Sequence, residues 1–322
     1  MEQNIVAIIW DFDKTLVDGY MQTPIFKKYG VSESEFWKEV NGLEAQYKEK
    51  EIRVNRDTIY LNHFLTCVNQ GIFKGLNNSK LRELGKELKF YTGVPEIFKK
   101  LQDAVEINPE FQKFNIKVEH YIVSTGLSEM IKGSVVAQYI KHIWGCEFIE
   151  EPIKSSLSSL NKKEDKNNNS DNENNREIKQ IAYALDNTSK TRAIFEINKG
   201  SNEYPNIDVN SRISYENRRV PFENMIYIAD GPSDVPAFSV LKSNGGRTFA
   251  IYPKGDSKAF KQVNQLIRDG RIDMFAEADY SEGTTTYMWL MENVNQIASN
   301  IYNKKSDQIK RSVSRPPEHI NE

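Results

Sequence analysis

The chain has 322 residues, 39% of them hydrophobic, enough for one sizeable core plus a smaller accessory module. Its 43 basic and 45 acidic residues nearly cancel to a formal charge of -2, so no global field holds a polyanion, and nucleic acid is not expected as a partner. Two cysteines, Cys67 and Cys146, in no CxxC spacing, argue against a disulfide scaffold or a zinc site and fit reduced thiols in a cytoplasmic protein.

The N-terminus MEQNIVAIIWDFDK lacks a basic leader, and no stretch approaches the ~20 apolar residues that span a bilayer, so no membrane partner and no export are expected. Residues 5–10 form a continuous apolar run rich in branched and aromatic side chains, the pattern of a strand buried on both faces, which stops at Asp11. From 21 to 90 the spacing turns helical: Leu61, Phe64, Leu65 and Val68 share a face, as do Leu81, Leu84 and Leu88, and Ser32 with Glu35 forms a capping box. This segment reads as an all-helical insert. A helix from Pro95 and a strand at 116–123 follow, then strands at 225–229 and 248–252, each leading into helical spacing, and a last long helix at 284–302. Alternation of this kind predicts an α/β fold with a parallel sheet covered by helices. Residues 155–175 contain KKEDKNNNSDNENN, too poor in apolar groups to offset their ordering entropy, and are expected to be a disordered loop. The segment 303–322 is expected to be a flexible tail.

Four short segments carry chemistry. Asp11 and Asp13, in IIWDFDKTL, follow the first strand, where open parallel sheets place their ligand crevice. Two residues apart, they would point to the same side of a strand that ran straight on, letting a nucleophile and a proton donor share one site. Ser124, in HYIVSTG, ends a buried strand ahead of Thr125 and Gly126, leaving room for a phosphate against a hydroxyl and backbone amides. Lys190, in DNTSKTRAIFEI, opens a helical pattern and could set an ammonium beside that phosphate. Asp230 and Asp234, in IYIADGPSD, flank a glycine-bearing turn and could hold a hard cation such as magnesium. Each has a plainer reading when taken alone: a solvated acidic loop, a helix cap, a surface lysine, a capping aspartate.

Together and in this order, the segments resemble the four motifs of the haloacid dehalogenase (HAD) superfamily, a group made up mostly of phosphatases. Asp11, Asp13 and Thr15 match the first motif, Ser124 the second, Lys190 the third, and Asp230 with Asp234 the fourth, in which Ala229 stands where glycine is common. The resemblance spans most of residues 1–300 and is similar to the phosphoserine phosphatase branch, in which WGCEFIEE and EIKQIAYALDN would be strands flanking the Asn-rich loop. It implies a Rossmann-like parallel-sheet core at 1–20 and 91–302, with a second, smaller all-helical cap domain at 21–90. It also implies a magnesium-dependent phosphatase acting on a small phosphorylated metabolite through an aspartyl-phosphate. Asp11 would be the nucleophile, Asp13 the general acid and base, and Ser124 and Lys190 the grip on the phosphoryl group, with Thr15, Thr125 and Gly126 lining the substrate. Mg2+ would contact Asp11, the Asp13 carbonyl and Asp230, with Asp234 supporting it directly or through water.

Other readings fare worse. The superfamily's dehalogenase branch lacks the second aspartate of the first motif, an ion pump needs transmembrane segments, and a response-regulator receiver is far shorter. A catalytically silent protein of the same fold would not need every chemical group, and all are present. A phosphotransferase differs only in its acceptor, which the sequence does not specify. None of His63, His120, His142 and His319 falls in a motif. Arg53, Arg56, Arg218 and Arg219 are the cations that could meet anionic groups of a substrate, although solvated charge is their plainer role. The oligomeric state is left open.

Overall fold

A computed structural model describes residues 2–153 and 176–313. In chain order the elements are β1 (Ile5–Trp10), α1 (Thr23–Tyr29), α2 (Glu33–Glu49), α3 (Ile59–Asn69), α4 (Asn78–Gly85), α5 (Glu96–Glu106), α6 (Pro109–Gln112), β2 (Lys117–Leu127) and α7 (Ser128–Gly133). There follow β3 (Ile140–Ile149), β4 (Gln180–Tyr183), α8 (Lys190–Lys199), β5 (Met225–Ala229), α9 (Val235–Ser243), β6 (Arg247–Tyr252), α10 (Ser257–Arg268), β7 (Met274–Glu277) and α11 (Thr285–Val313). The expected Asn-rich loop at 155–175 lies outside the described residues.

The strands form one sheet in the order β4-β3-β2-β1-β5-β6-β7. The architecture is α/β, as the alternating pattern predicts. Every residue of β1 is buried, because the strand lies at the centre with β2 and β5 on either side and helices over both faces. Helices α5 and α11 pack together over β1, β2 and β7, while α8 and α9 pack together over β2, β5 and β6. After β1 the chain builds one half of the sheet through β2 and β3, then the other through β5 to β7, so the strand order reverses at β1. The C-terminal end of β1 is therefore a topological switch point, where such sheets open a crevice.

Three departures from the sequence reading have local causes. The strand at 116–123 runs on to Leu127, because its register with β3 shifts between Val123 and Leu127 and pairing resumes at Leu127 with Cys146. Strand β4 pairs antiparallel with β3, an edge arrangement that a short mixed-polarity segment does not announce. The last helix passes the expected end at 302 and continues to Val313, within the expected tail. Lys304 fastens this extension by donating to the Tyr215 hydroxyl at 2.7 Å, with its ammonium 4.5 Å from the ring centroid. Residues 314–322 lie outside the described residues.

Helices α1, α2 and α3 and the turn after α3 share an aromatic cluster in which Phe26, Phe36, Phe64 and Phe73 meet at centroid distances of 4.7 to 6.4 Å. Ser32 caps α2 by accepting from the Glu35 amide at 3.3 Å. This helical segment joins the sheet layer where α4 packs on α7. The approach is backbone to backbone: a Cβ on Gly133 would lie 1.9 Å from the Arg82 carbonyl oxygen, and one on Gly85 would lie 2.1 Å from that of Met130. Among the described residues no helix is long and apolar enough to cross a membrane.

Candidate active site

The site is built at the end of β1. The Asp11 amide still donates to Ile228 of β5 at 2.9 Å, and then the chain leaves the sheet. It does not run straight on, as the two-residue spacing suggested: the amides of Thr15, Leu16 and Val17 all turn back to the Phe12 carbonyl, and Lys14 sits at φ 57. The turn, rather than the pleat of a strand, places Asp13. From the other end of the chain, Tyr280 braces this turn by donating its hydroxyl to the Thr15 carbonyl at 2.7 Å, while its own amide donates to Thr92 at 2.8 Å.

Lys190, the first residue of α8, is 1% exposed and reaches the end of β1. Its ammonium lies 2.8 Å from Asp11 Oδ1 and 2.7 Å from Asp234 Oδ1. Burial opposes its charge, but the two carboxylates outweigh this and hold its pKa above the ordinary value. Thr15 donates to the other Asp11 oxygen, Oδ2, at 3.2 Å. Asp11 is thereby held by both oxygens and buried. Desolvation raises its pKa to about 6, against the pull of Lys190.

Asp234, fully buried, is engaged throughout: Oδ1 also accepts from the Tyr227 hydroxyl at 2.6 Å, and Oδ2 from Ser233 at 2.7 Å. Asp230 has no such partners. Its carboxylate takes part in no hydrogen bond or ion pair among the described residues, and desolvation, with Asp11 and Asp234 adding to it, raises its pKa to about 7. One oxygen from each of Asp11, Asp230 and Asp234 falls within 4.8 Å of the others. Three hard carboxylate donors, one of them unpaired, suit a magnesium-like cation. Of the three, Asp234 is already occupied by Lys190, Tyr227 and Ser233, which leaves Asp11 and Asp230 as the freer pair.

Asp13 is absent from that carboxylate cluster. Its Oδ1 accepts from the Met21 amide at 2.8 Å, and desolvation, followed by the nearby Asp11 carboxylate, raises its pKa to about 8. On the β2 side, Ser124 Oγ accepts from the Gly126 amide at 3.0 Å. The Thr125 carbonyl is fixed by the Tyr60 hydroxyl of α3 at 2.6 Å. Gly126 lies against Met21, whose methyl carbon a Cβ would meet at 2.2 Å. Asp13, Thr125 and Gly126 line one cavity of about 160 Å3 that also takes in Tyr20, Trp37 and Tyr60.

The four predicted segments thus converge on one end of the sheet. Of the arginines singled out, Arg56 lines the cavity with Asp13. Arg53 lines an adjoining cavity, which shares Arg56 and Asp57 with the one that contains Asp13. Arg219 is committed to both oxygens of Glu119, at 2.7 and 2.8 Å, and Arg218 lies over the Phe222 ring. Sequence reasoning missed Tyr227. A tyrosine in a buried strand needs a partner for its hydroxyl, and an aspartate a few residues on was the available signal. It also missed Gln22, Trp37 and Tyr60, for which helical spacing alone gives no direction.

No family model matches the chain. Among solved structures it is similar to a HAD-family hydrolase from Salmonella enterica serovar Typhi, at 15% identity and a TM-score of 0.46, covering 84% of this chain and 66% of that one. It is also similar to a phosphoserine phosphatase in a phospho-aspartyl intermediate analogue, at 16% identity and a TM-score of 0.45, covering 85% and 93%. In sequence it is 40% identical over 296 residues to an uncharacterised protein of Borreliella burgdorferi, an alignment that takes in 91% of this chain and 97% of the other. Likeness of that extent means a common fold and a common ancestor, and the chain belongs to one family with this Borreliella burgdorferi protein.

Proposed function

We propose that this protein is a HAD-type, magnesium-dependent phosphatase that hydrolyses a small phosphate monoester through an aspartyl-phosphate on Asp11. The observation that carries the reading is the buried Lys190 ammonium fixed between Asp11 and Asp234 beside the unpaired Asp230. An ammonium and a nucleophilic carboxylate at one strand end form a place where a phosphoryl group can be both attacked and neutralised.

In the first step a carboxylate oxygen of Asp11 forms a bond to phosphorus as the bond to the ester oxygen breaks. Asp13, with its pKa near 8, carries a proton at neutral pH and gives it to the departing oxygen. In the second step water attacks phosphorus, Asp13 takes the proton of that water, and Asp11 is released. Lys190 and the Ser124 hydroxyl hold the phosphoryl oxygens, and Thr15 keeps Asp11 oriented. Asp11 and Asp230, with the Asp13 carbonyl, would hold the Mg2+, which supplies positive charge to the phosphate group. Asp234 acts mainly by positioning Lys190. Helices α1 to α4 serve as the cap, since Trp37 of α2 and Tyr60 of α3 reach the cavity that contains Asp13. Both cysteines are buried free thiols, in keeping with a cytoplasmic setting.

The test is a single-turnover reaction with a 32P-labelled ester, quenched in acid, run beside a thermal melt with and without magnesium. Label should attach to the wild type and be missing from Asp11→Asn, and chelation should abolish turnover until magnesium is returned. Magnesium should also raise the melting temperature of the wild type but not of Asp230→Asn. Full turnover in excess chelator, or label persisting in Asp11→Asn, overturns the reading.

A further inference from the structure

The cavity beside Asp13 contains two polar groups that the protein itself leaves unsatisfied. Gln22 is 3% exposed, and its Oε1 has no hydrogen-bond partner. The Trp37 indole Nε1 is likewise buried and unpartnered. Both side chains line the same cavity. Burying an amide oxygen and an indole N–H without protein partners is costly, and such a pair calls for a bound molecule, water or ligand, to supply the missing bonds.

The surroundings narrow what that ligand is. The Trp37 ring stands 5.8 Å from that of Tyr20 and 5.9 Å from that of Tyr60, so the wall is aromatic. The polar ends of these tyrosines are already used: Lys14 donates to the Tyr20 hydroxyl at 2.7 Å, and Tyr60 donates to Thr125. The unsatisfied buried groups are therefore one acceptor and one donor, both neutral. A hydroxyl matches the pair, donating to Gln22 Oε1 and accepting from Trp37 Nε1. The C–H faces of a hydroxylated carbon chain or ring suit the aromatic wall. A full charge buried at this depth would need a paired countercharge. The charges that line the cavity beyond Asp13, Arg56 and Asp57, are exposed and half-buried respectively.

We propose that Gln22 and Trp37 select the substrate by gripping a hydroxyl on its alcohol half, which makes a small polyol or sugar phosphate the substrate class. The proposal rests on the phosphatase reading and adds to it a rule for choosing among esters. A hydrogen-bonding site discriminates strongly against an analogue that lacks the matching hydroxyl, because its own buried groups are then left unpaired.

The experiment measures kcat/KM for glycerol phosphate and for propyl phosphate, which lacks the hydroxyls, with phosphoserine and p-nitrophenyl phosphate alongside. Wild-type protein should favour glycerol phosphate over propyl phosphate by about tenfold or more, and over phosphoserine as well. In Gln22→Leu, which keeps the bulk and removes the hydrogen bond, the glycerol-to-propyl ratio should fall to within about twofold of unity. Trp37→Phe keeps an aromatic ring and removes only the N–H, so it should lower the same ratio even if Gln22→Leu folds poorly. A ratio near unity in the wild type, a ratio unchanged in both variants, or a preference for phosphoserine overturns the proposal while leaving the phosphatase reading in place. If the wild type cleaves no ester, p-nitrophenyl phosphate included, both fall together.

Discussion

Asp13 and Asp11 are chemically alike and only two residues apart, yet the protein keeps them in different states. Lys190 and Thr15 hold Asp11, while Asp13 has only the Met21 amide and is pushed up to about 8 by burial and by Asp11. A proton donor matters most when the leaving group is poor, so the two ester classes should separate them. In single-turnover release, Asp13→Asn should slow an alkyl phosphate ~100- to 10,000-fold and p-nitrophenyl phosphate much less. The wild-type alkyl rate should also fall as pH rises through about 8, where Asp13 loses its proton. Equal slowing of both esters would remove Asp13 from the role of acid. His120 gives a second residue-scale test, of stability. Fully buried, its Nδ1 accepts from Trp10 Nε1 at 3.2 Å and its Nε2 donates to the Phe98 carbonyl at 3.2 Å, and desolvation lowers its pKa to about 3. The unfolded chain takes up this proton near pH 6.5 and the folded one does not, so the contribution is complete above 6.5 and is lost as pH falls towards 3. Between those limits the wild type should lose about 1.4 kcal/mol per pH unit more than His120→Gln in denaturant titrations. Parallel acid limbs for the two proteins would contradict the assignment.

Elements carried the legible part of the sequence. The apolar runs that break at Asp11, Ser124 and Asp230 could be read because buried parallel strands are continuous apolar runs, and the residue that breaks each run sits at the crevice edge, even though β2 itself continues past Ser124 to Leu127. Lys190 was legible as the start of α8 but not as the link between Asp11 and Asp234, which depends on how α8 packs. The antiparallel direction of edge strand β4 and the far end of α11 were hidden for a different reason, since tertiary partners rather than local pattern decide them. The seam between α4 and α7 belongs to this class too, because glycine spacing does not reveal which backbone will approach. There, a Cβ at Gly133 meets the Arg82 backbone, which cannot swing aside as a side chain could. Gly133→Ala should therefore destabilise the protein by about 1–3 kcal/mol. An unchanged melting curve would mean that the two helices separate at little cost.

At the scale of the whole molecule, the candidate active site gathers contributions from most of the chain: Asp11 and Thr15 from its beginning, Ser124 from the middle, then Lys190, Asp230 and Asp234. Tyr280 closes the set by holding the Thr15 carbonyl, and its backbone packs so tightly against Gly93 that a Cβ there would come within 2.3 Å. This brace sets an order in time. On a ribosome the turn that carries Asp11 is made first and its brace 265 residues later, a delay of roughly tens of seconds at ordinary rates of synthesis. Within that interval the proposed nucleophile first stands alone, Lys190 and then Asp230 and Asp234 follow it, and the brace comes last, so on the proposed reading the nascent chain stays chemically quiet until its sheet is complete.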